Sequence, residues 1–341
     1  MSALAYDGLI PASELLNGAT DTPFVDDLGF GRETPLIHPA IGPKLEAVNL
    51  ANFVALPLRQ RQYVLAPILP ERGLAMLYAP RGVGKTQVAF NIGWAVACGQ
   101  PFLRWYASRP RPVLYIDGEM PQELLQERAK AMIAPSACQP PHPDFFRLLS
   151  MDRQELGTSL NLVLPAHQAA LEVLLDEVDF LILDNISTLV NSGRENDAES
   201  WNEMQAWLLK LRRLGKTVLL IHHAGRSENA RGTSKREDVL DTVIQLKHPE
   251  DYEVEQGARF EVHLTKARGV AGDNALPFEA KLEVINGRDR WTSHTLRDKI
   301  LDQIEELSRA GGTVREIAEE TGLSKSKVQR LQAKLRAEAR L

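Results

Sequence analysis

Residues 79–86 read APRGVGKT and stand between an apolar run, GLAMLYA (73–79), and a long uncharged stretch beginning at Thr86. A strand, a loop with two glycines and then a helix is the arrangement in which backbone NH groups wrap a phosphate at a helix N-terminus. Gly82 and Gly84 permit the close backbone approach, Lys85 can meet the β and γ charges, and the Thr86 hydroxyl can bind Mg2+. Ala79 stands where the usual pattern has its first glycine, so the pattern is complete only from Gly82 onward. A glycine-rich turn before a helix is the plain alternative. The loop assigns Arg81, Gly82, Val83, Gly84, Lys85, Thr86 and Gln87 to a nucleotide site, with ATP and Mg2+ the expected ligands.

Six further apolar runs follow: PVLYID (112–117), VDFLILD (178–184), TVLLIHH (217–223), DTVIQL (241–246), RFEVHLTKA (259–267) and FEAKLEV (278–284). Short Val/Ile/Leu-rich runs separated by helical stretches predict an α/β fold with a mostly parallel sheet covered by helices. The last three runs have little helix between them, which predicts an antiparallel edge. After Trp291 the pattern turns helical, with Leu296, Ile300, Ile304 and Leu307 at helical spacing, so a small all-α domain is expected from about 293. The division expected is an acidic Pro/Gly-containing arm (1–58), an ATPase domain (59–290) and a helical domain (293–341).

Other classes are excluded more simply. Cys98 and Cys138 are the two cysteines of 341 residues, so neither a secreted disulfide scaffold nor a four-ligand zinc site of the zinc-finger kind is expected. The N-terminal residues carry Asp7 and Glu14 where a signal peptide needs a basic start and an apolar core, so a cytoplasmic location is expected. The uncharged run 86–103 is broken by Gln87, Asn91, Gly93 and Pro101 and reads as a buried helix, not a membrane span. Net charge is −5, with seven acids against two bases in residues 1–50 and six bases against one acid in residues 324–341. Trp201, Met204, Leu208 and Leu211 keep helical spacing and read as core rather than as a binding stripe.

Asp184 closes VDFLILD and can hold Mg2+ through water at the tip of a buried strand, or merely cap the next helix. Hydrolysis also needs a base near the metal, and PVLYIDGEM offers Asp117 and Glu119. A glutamate there could equally face the positive end of a following helix. His222 and His223 close TVLLIHH, and only one of two neighbours on a strand can face a nucleotide. A buried, satisfied histidine is the competing role.

The series APRGVGKT, DGEM, LILD and IHHA, followed by RGTSKREDVLDTVIQL and LTKARG, resembles the RecA-fold ATPases of the hexameric DnaB and plasmid RepA helicase group over about residues 60–285. The resemblance implies a RecA-like P-loop NTPase core and selects Glu119 as the group that activates water. It implies that His223 senses the γ-phosphate, and that Lys266 and Arg268 enter a neighbouring subunit's site. From the residues alone, LTKARG reads equally as a solvated basic turn. The loops 187–200 and 224–238, the latter with Arg226, Arg231, Lys235 and Arg236, would face a central pore holding single-stranded DNA. Their plain reading is polar surface loops.

At the C-terminus, TVREIAEETGLSKSKVQRLQAKLRAEARL places Val314, Ile317 and Ala318 on one helix. Gly322 makes the turn and Ser324 caps a second helix bearing Lys325, Lys327 and Arg330. That is the pattern of a helix-turn-helix offering a basic helix to duplex DNA, or of a helical hairpin docking on protein. The expected function is therefore a Mg2+-dependent ATP hydrolase forming a homo-oligomeric ring, a hexamer by resemblance, that translocates on DNA as a RepA-like replicative helicase. An ATP-regulated helix-turn-helix regulator and a recombinase or KaiC-like ATPase are the alternatives.

Overall fold

In the computed structural model, which describes residues 45–133, 138–190, 198–224, 237–285 and 288–341, the chain divides into two units, Met1–Leu58 and Arg59–Leu341. Within the first, Asn49 accepts a hydrogen bond from the Asn52 amide at 2.8 Å and caps a short helix, α1 (Leu50–Ala55), with no buried residue. This helix was not expected from the sequence, because six residues are too few to display an apolar period.

Among the described residues the second unit has thirteen strands: β1 (Tyr63–Leu65), β2 (Leu69–Pro70), β3 (Leu74–Ala79), β4 (Pro101–Phe102), β5 (Trp105–Tyr106), β6 (Val113–Asp117), β7 (Phe146–Ser150), β8 (Phe180–Asp184), β9 (Thr217–His223), β10 (Thr242–Lys247), β11 (Arg259–Ala267), β12 (Phe278–Ile285) and β13 (Arg288–Thr295). Helices α2 (Lys85–Cys98), α3 (Gln122–Ile133), α4 (Pro165–Leu174), α5 (Ile186–Leu189) and α6 (Ala198–Arg213) connect and cover them. Nine strands form one sheet in the order β13-β12-β11-β10-β3-β9-β8-β6-β7. The six from β10 to β7 are parallel, whereas β11, β12 and β13 are antiparallel. This is the expected RecA-like α/β architecture with two corrections. DTVIQL pairs parallel with β3 instead of joining the antiparallel edge, which β13 completes. The strand β13 also carries the sheet past Trp291 to Thr295, so the helical domain begins at Leu296.

Alternation along β3 explains the two-sided core. Ala75, Leu77 and Ala79 pack with α2 residues such as Phe90 and Ile92, while Leu74, Met76 and Tyr78 pack with α6 residues Trp201, Met204, Leu208 and Leu211. Because both faces are covered, β6 and β8 read as unbroken apolar runs. Helix α2 lies close on the sheet at Gly93, where a Cβ would stand 2.7 Å from Phe146 Cε2. Cys98 and Cys138 are free thiols, and burial with the neighbouring Cys138 pushes the Cys98 thiol up to about 12. Among the described residues no helix is long and apolar enough to cross a membrane.

Three helices, Leu296–Arg309, Val314–Thr321 and Lys325–Ala337, close the chain around Leu301, Ile304, Ile317, Val328 and Leu335.

Candidate nucleotide site

The carboxyl ends of β3, β6, β8 and β9 lie side by side in the sheet, where ligand sites form in open α/β folds. After Ala79 the chain turns through Gly82 (φ +84°) and Gly84 (φ +112°) into α2. Those dihedrals are costly for any residue with a Cβ, which explains both glycines. Lys85 is buried, and its Nζ donates to the carbonyl oxygens of Ala79 at 2.9 Å and Pro80 at 2.8 Å. Burial pulls its ammonium down to about 8, while Asp184 and Glu119 act in the opposite sense. A phosphate at the loop would supply the charge that the neutral carbonyls lack.

Asp184 ends β8 with 5 % of its surface exposed. Tyr115 Oη donates to its Oδ2 at 2.6 Å, and the Thr86 hydroxyl also hydrogen-bonds to it. Burial pushes the Asp184 carboxyl up, against both of those bonds and the Lys85 charge. Thr86 and Asp184, read separately as Mg2+ groups, are thus in contact. Among the described residues no three His, Cys, Asp or Glu side chains could hold a metal by themselves. One hydroxyl and one carboxylate fit Mg2+, which takes few protein ligands and completes its shell with phosphate oxygens and water.

Geometry separates the two acids of DGEM. Asp117 Oδ1 accepts the amides of Glu119 at 3.0 Å and Met120 at 2.6 Å, so this carboxyl shapes the turn, and burial pushes it up to about 6. Glu119 Oε2 instead accepts from Asn185 Nδ2 and lies 3.2 Å from His223 Nε2. It does not open α3, whose first amide, on Gln122, donates to Asp152 at 3.0 Å. His223 aligns with Ala79 across β9 and β3, and of the two histidines it is the one whose ring meets Glu119.

Asn185 and Tyr115 were not read from the sequence as site residues. Asn185 is 1 % exposed, its Oδ1 accepts from the Ser187 and Thr188 amides, and its Nδ2 sits 3.0 Å from His223 Nε2. An Asn after a strand reads as a helix cap, which it also is here, so its second bond left no sequence signal. Tyr115 is one more apolar letter in a buried run.

Other expected residues lie elsewhere. Val83 is buried, Arg81 and Gly82 are exposed on the loop, and Gln87 donates to Asp289 on β13 at 3.0 Å. Lys266 and Arg268 are not at this chain's phosphate loop. Ala267 pairs with Thr242, which is level with Ala75 near the start of β3, so the LTKARG turn is at the opposite end of the sheet. There Lys266 Nζ donates to the Glu237 carbonyl, and Arg268 donates to the Asp238 carbonyl at 3.1 Å. Residues 191–197 and 225–236 of the two expected pore loops, including Arg226, Arg231, Lys235 and Arg236, lie outside the described residues.

In the C-terminal bundle, Thr313 and Glu316 form a reciprocal capping box, Gly322 (φ +67°) ends the second helix, and the Ser324 hydroxyl accepts from the Lys327 amide. Val328 is buried, while Lys325, Lys327 and Arg330 are exposed.

A strand–glycine loop–helix phosphate site at the end of a parallel sheet defines the protein as a P-loop ATPase with a C-terminal helix-turn-helix. The family described as AAA domain matches residues 41–229, more than half of the chain, and the chain belongs to that family. The family described as IclR helix-turn-helix domain matches residues 299–338. No curated protein matches in sequence. Among solved structures, the chain is similar to the flagellar accessory protein FlaH from Methanocaldococcus jannaschii, at 11% identity and TM-score 0.45 over 66% of this chain and 91% of that one. It is also similar to a KaiC-like protein from Pyrococcus horikoshii OT3, at 15% identity and TM-score 0.46 over 68% of this chain and 99% of that one.

Proposed function

We propose that the protein is an ATP-driven translocase that works as a ring on single-stranded DNA, in the manner of a RepA-like replicative helicase. The observation that carries this reading is the position of Lys266 and Arg268. Cations at the amino end of the sheet are remote from this chain's own phosphate loop, and in this reading they serve a nucleotide presented by another copy, so that turnover depends on assembly. In this reading the loop amides and Lys85 hold the phosphates of ATP, and Thr86 with Asp184 hold Mg2+. The metal supplies neutralisation of phosphate charge and orients the terminal phosphate. Glu119 takes the proton of the attacking water. Its 3.2 Å contact to His223, the last residue of β9, links that chemistry to the loop that follows.

The test is ATP turnover with and without single-stranded DNA, with mass followed by light scattering, for the natural protein, Lys85→Ala and Arg268→Ala. DNA-stimulated turnover in a hexamer-sized species, abolished by Lys85→Ala and lost in Arg268→Ala without loss of assembly, supports the reading. A DNA-independent rate in a monomer or dimer overturns it. The exposed Lys325, Lys327 and Arg330 favour a second reading, an ATP-regulated binder of duplex DNA. Sequence-specific duplex binding that survives Lys85→Ala would establish that one.

A further inference from the structure

At the amino end of the sheet, below the start of β3, lies an open cavity of about 360 Å3 lined by Arg61, Arg72, Arg212, Arg268, Glu71 and Asp241, together with Pro70 and Gly73. Its charges are unequal. Asp241 Oδ2 accepts from Arg212 and from the Leu74 amide, and its Oδ1 lies 3.9 Å from Arg268. Glu71 pairs with Arg111 and lies 3.5 Å from Arg109. The two carboxylates are therefore already shared among four guanidinium groups.

Arg61 and Arg72 add two more cations, and among the described residues neither has a carboxylate partner. Arg61 donates to the Arg268 carbonyl at 3.0 Å and lies over the Tyr63 ring. Its guanidinium lies against Gly269, where a Cβ would stand 2.6 Å from Arg61 Nη1. Arg72 is exposed and holds a left-handed φ of +58° although the next residue is glycine. Both its backbone groups are pinned, the amide to Thr217 Oγ1 at 2.9 Å and the carbonyl by Arg212 Nε at 3.1 Å. A strained non-glycine residue held this firmly directs its side chain, and an excess of forked donors in one cavity calls for a multivalent oxyanion.

We propose that this cavity receives the terminal phosphates of the nucleotide held in a second copy's phosphate loop. Arg72 and Arg61 contact those phosphates beside Arg268, and Asp241 and Gly269 position the cations. The proposal rests on the shared-site reading above and extends it to residues outside the LTKARG turn. Three arginines then face one triphosphate, so loss of any one weakens phosphate neutralisation without touching the loop that binds the nucleotide.

The test is complementation in the full-length protein. Arg72→Ala and Arg268→Ala are each assayed for ATP turnover alone and after subunit exchange with an equal amount of Lys85→Ala. Arg72→Gly, which keeps the left-handed backbone at no steric cost, serves as a second variant that separates the side chain from folding. The expected result is turnover reduced on the order of tenfold or more in Arg72→Ala and Arg72→Gly at unchanged mass. Mixing either with Lys85→Ala should then restore activity well above the sum of the two separate samples. Each such mixture contains sites with an intact loop from one copy and intact arginines from the other. Natural turnover in both Arg72 variants overturns the proposal. So does recovery in the Arg268→Ala mixture without recovery in the Arg72 mixtures, which leaves the shared site standing. If no mixture recovers, the shared-site reading itself fails and the proposal falls with it.

Discussion

Glu119 and His223 meet at 3.2 Å, one on the turn after β6 and the other at the end of β9, with Asn185 Nδ2 in reach of both. His223 Nε2 can donate to Glu119 or accept from Asn185, according to the tautomer of the ring. That arrangement ties the Glu119 carboxylate to the end of β9 and to Asn185 after β8.

The first prediction follows from this contact. Glu119→Gln can still accept from Asn185 but cannot take a proton. ATP binding, measured with a fluorescent analogue, should be retained while kcat falls on the order of 10²–10⁴-fold. Natural turnover in this variant would return Glu119 to a purely structural role beside Asp117.

A second prediction concerns packing beneath the site. At Gly93 an added Cβ would lie 2.7 Å from Phe146 Cε2 and 3.0 Å from Ile182 Cδ1, and Phe146 is held among Phe90, Trp94 and Tyr115. Gly93→Ala gains about 1 kcal/mol of helix propensity. Against this stands overpacking of about 1–3 kcal/mol. Urea unfolding should show net destabilisation, and an unchanged or raised midpoint would mean that the ring moves freely.

Strands β3, β6, β8 and β9 were legible because each is buried on both faces and written in apolar letters. So were the phosphate loop and the turn at Gly322, whose glycines perform geometry that no other residue does cheaply. What escaped was of two kinds. Strands β4 and β5 have two residues each, and β7 has a mixed pattern with Arg147 in it, so period and length carried no signal. The roles of Asn185, Tyr115, Arg61 and Arg72 depend on partners far away in sequence, which only the folded sheet brings together.

A third prediction joins the helical bundle to the sheet. Arg259, 7% exposed, is bound by Glu279 and Asp251, and Lys299 of the first C-terminal helix binds both acids. Burial raises the Glu279 carboxyl, but Arg259 and Lys299 outweigh it and hold the group below its ordinary value, and Asp251 is lowered in the same way. A depressed folded value means stability that is present above the unfolded pKa of about 4 and is lost as pH falls through the folded value. Glu279→Gln should cost about 3 kcal/mol at pH 7, because it leaves a buried guanidinium with less than its full complement of charge. In urea unfolding, the gap between the natural protein and the variant should narrow from pH 7 to about pH 3. A gap independent of pH would mean that packing and not charge holds this junction.

The last prediction concerns the basic helix. Lys325, Lys327 and Arg330 are exposed within the first two turns after the Ser324 cap. If they meet the phosphates of duplex DNA, each neutralised contact contributes about 0.9 to the slope of log K against log salt concentration. The triple alanine variant should therefore bind duplex DNA more weakly at low salt, with a slope shallower by about 3. Its turnover without DNA should be unchanged, since the bundle core of Ile304, Ile317 and Val328 is untouched. Fluorescence anisotropy across a salt series checks this. An unaltered slope, together with a changed mass or turnover, would reassign this face to docking on protein. In that case the helix-turn-helix would act on the assembly that the ATPase domain forms.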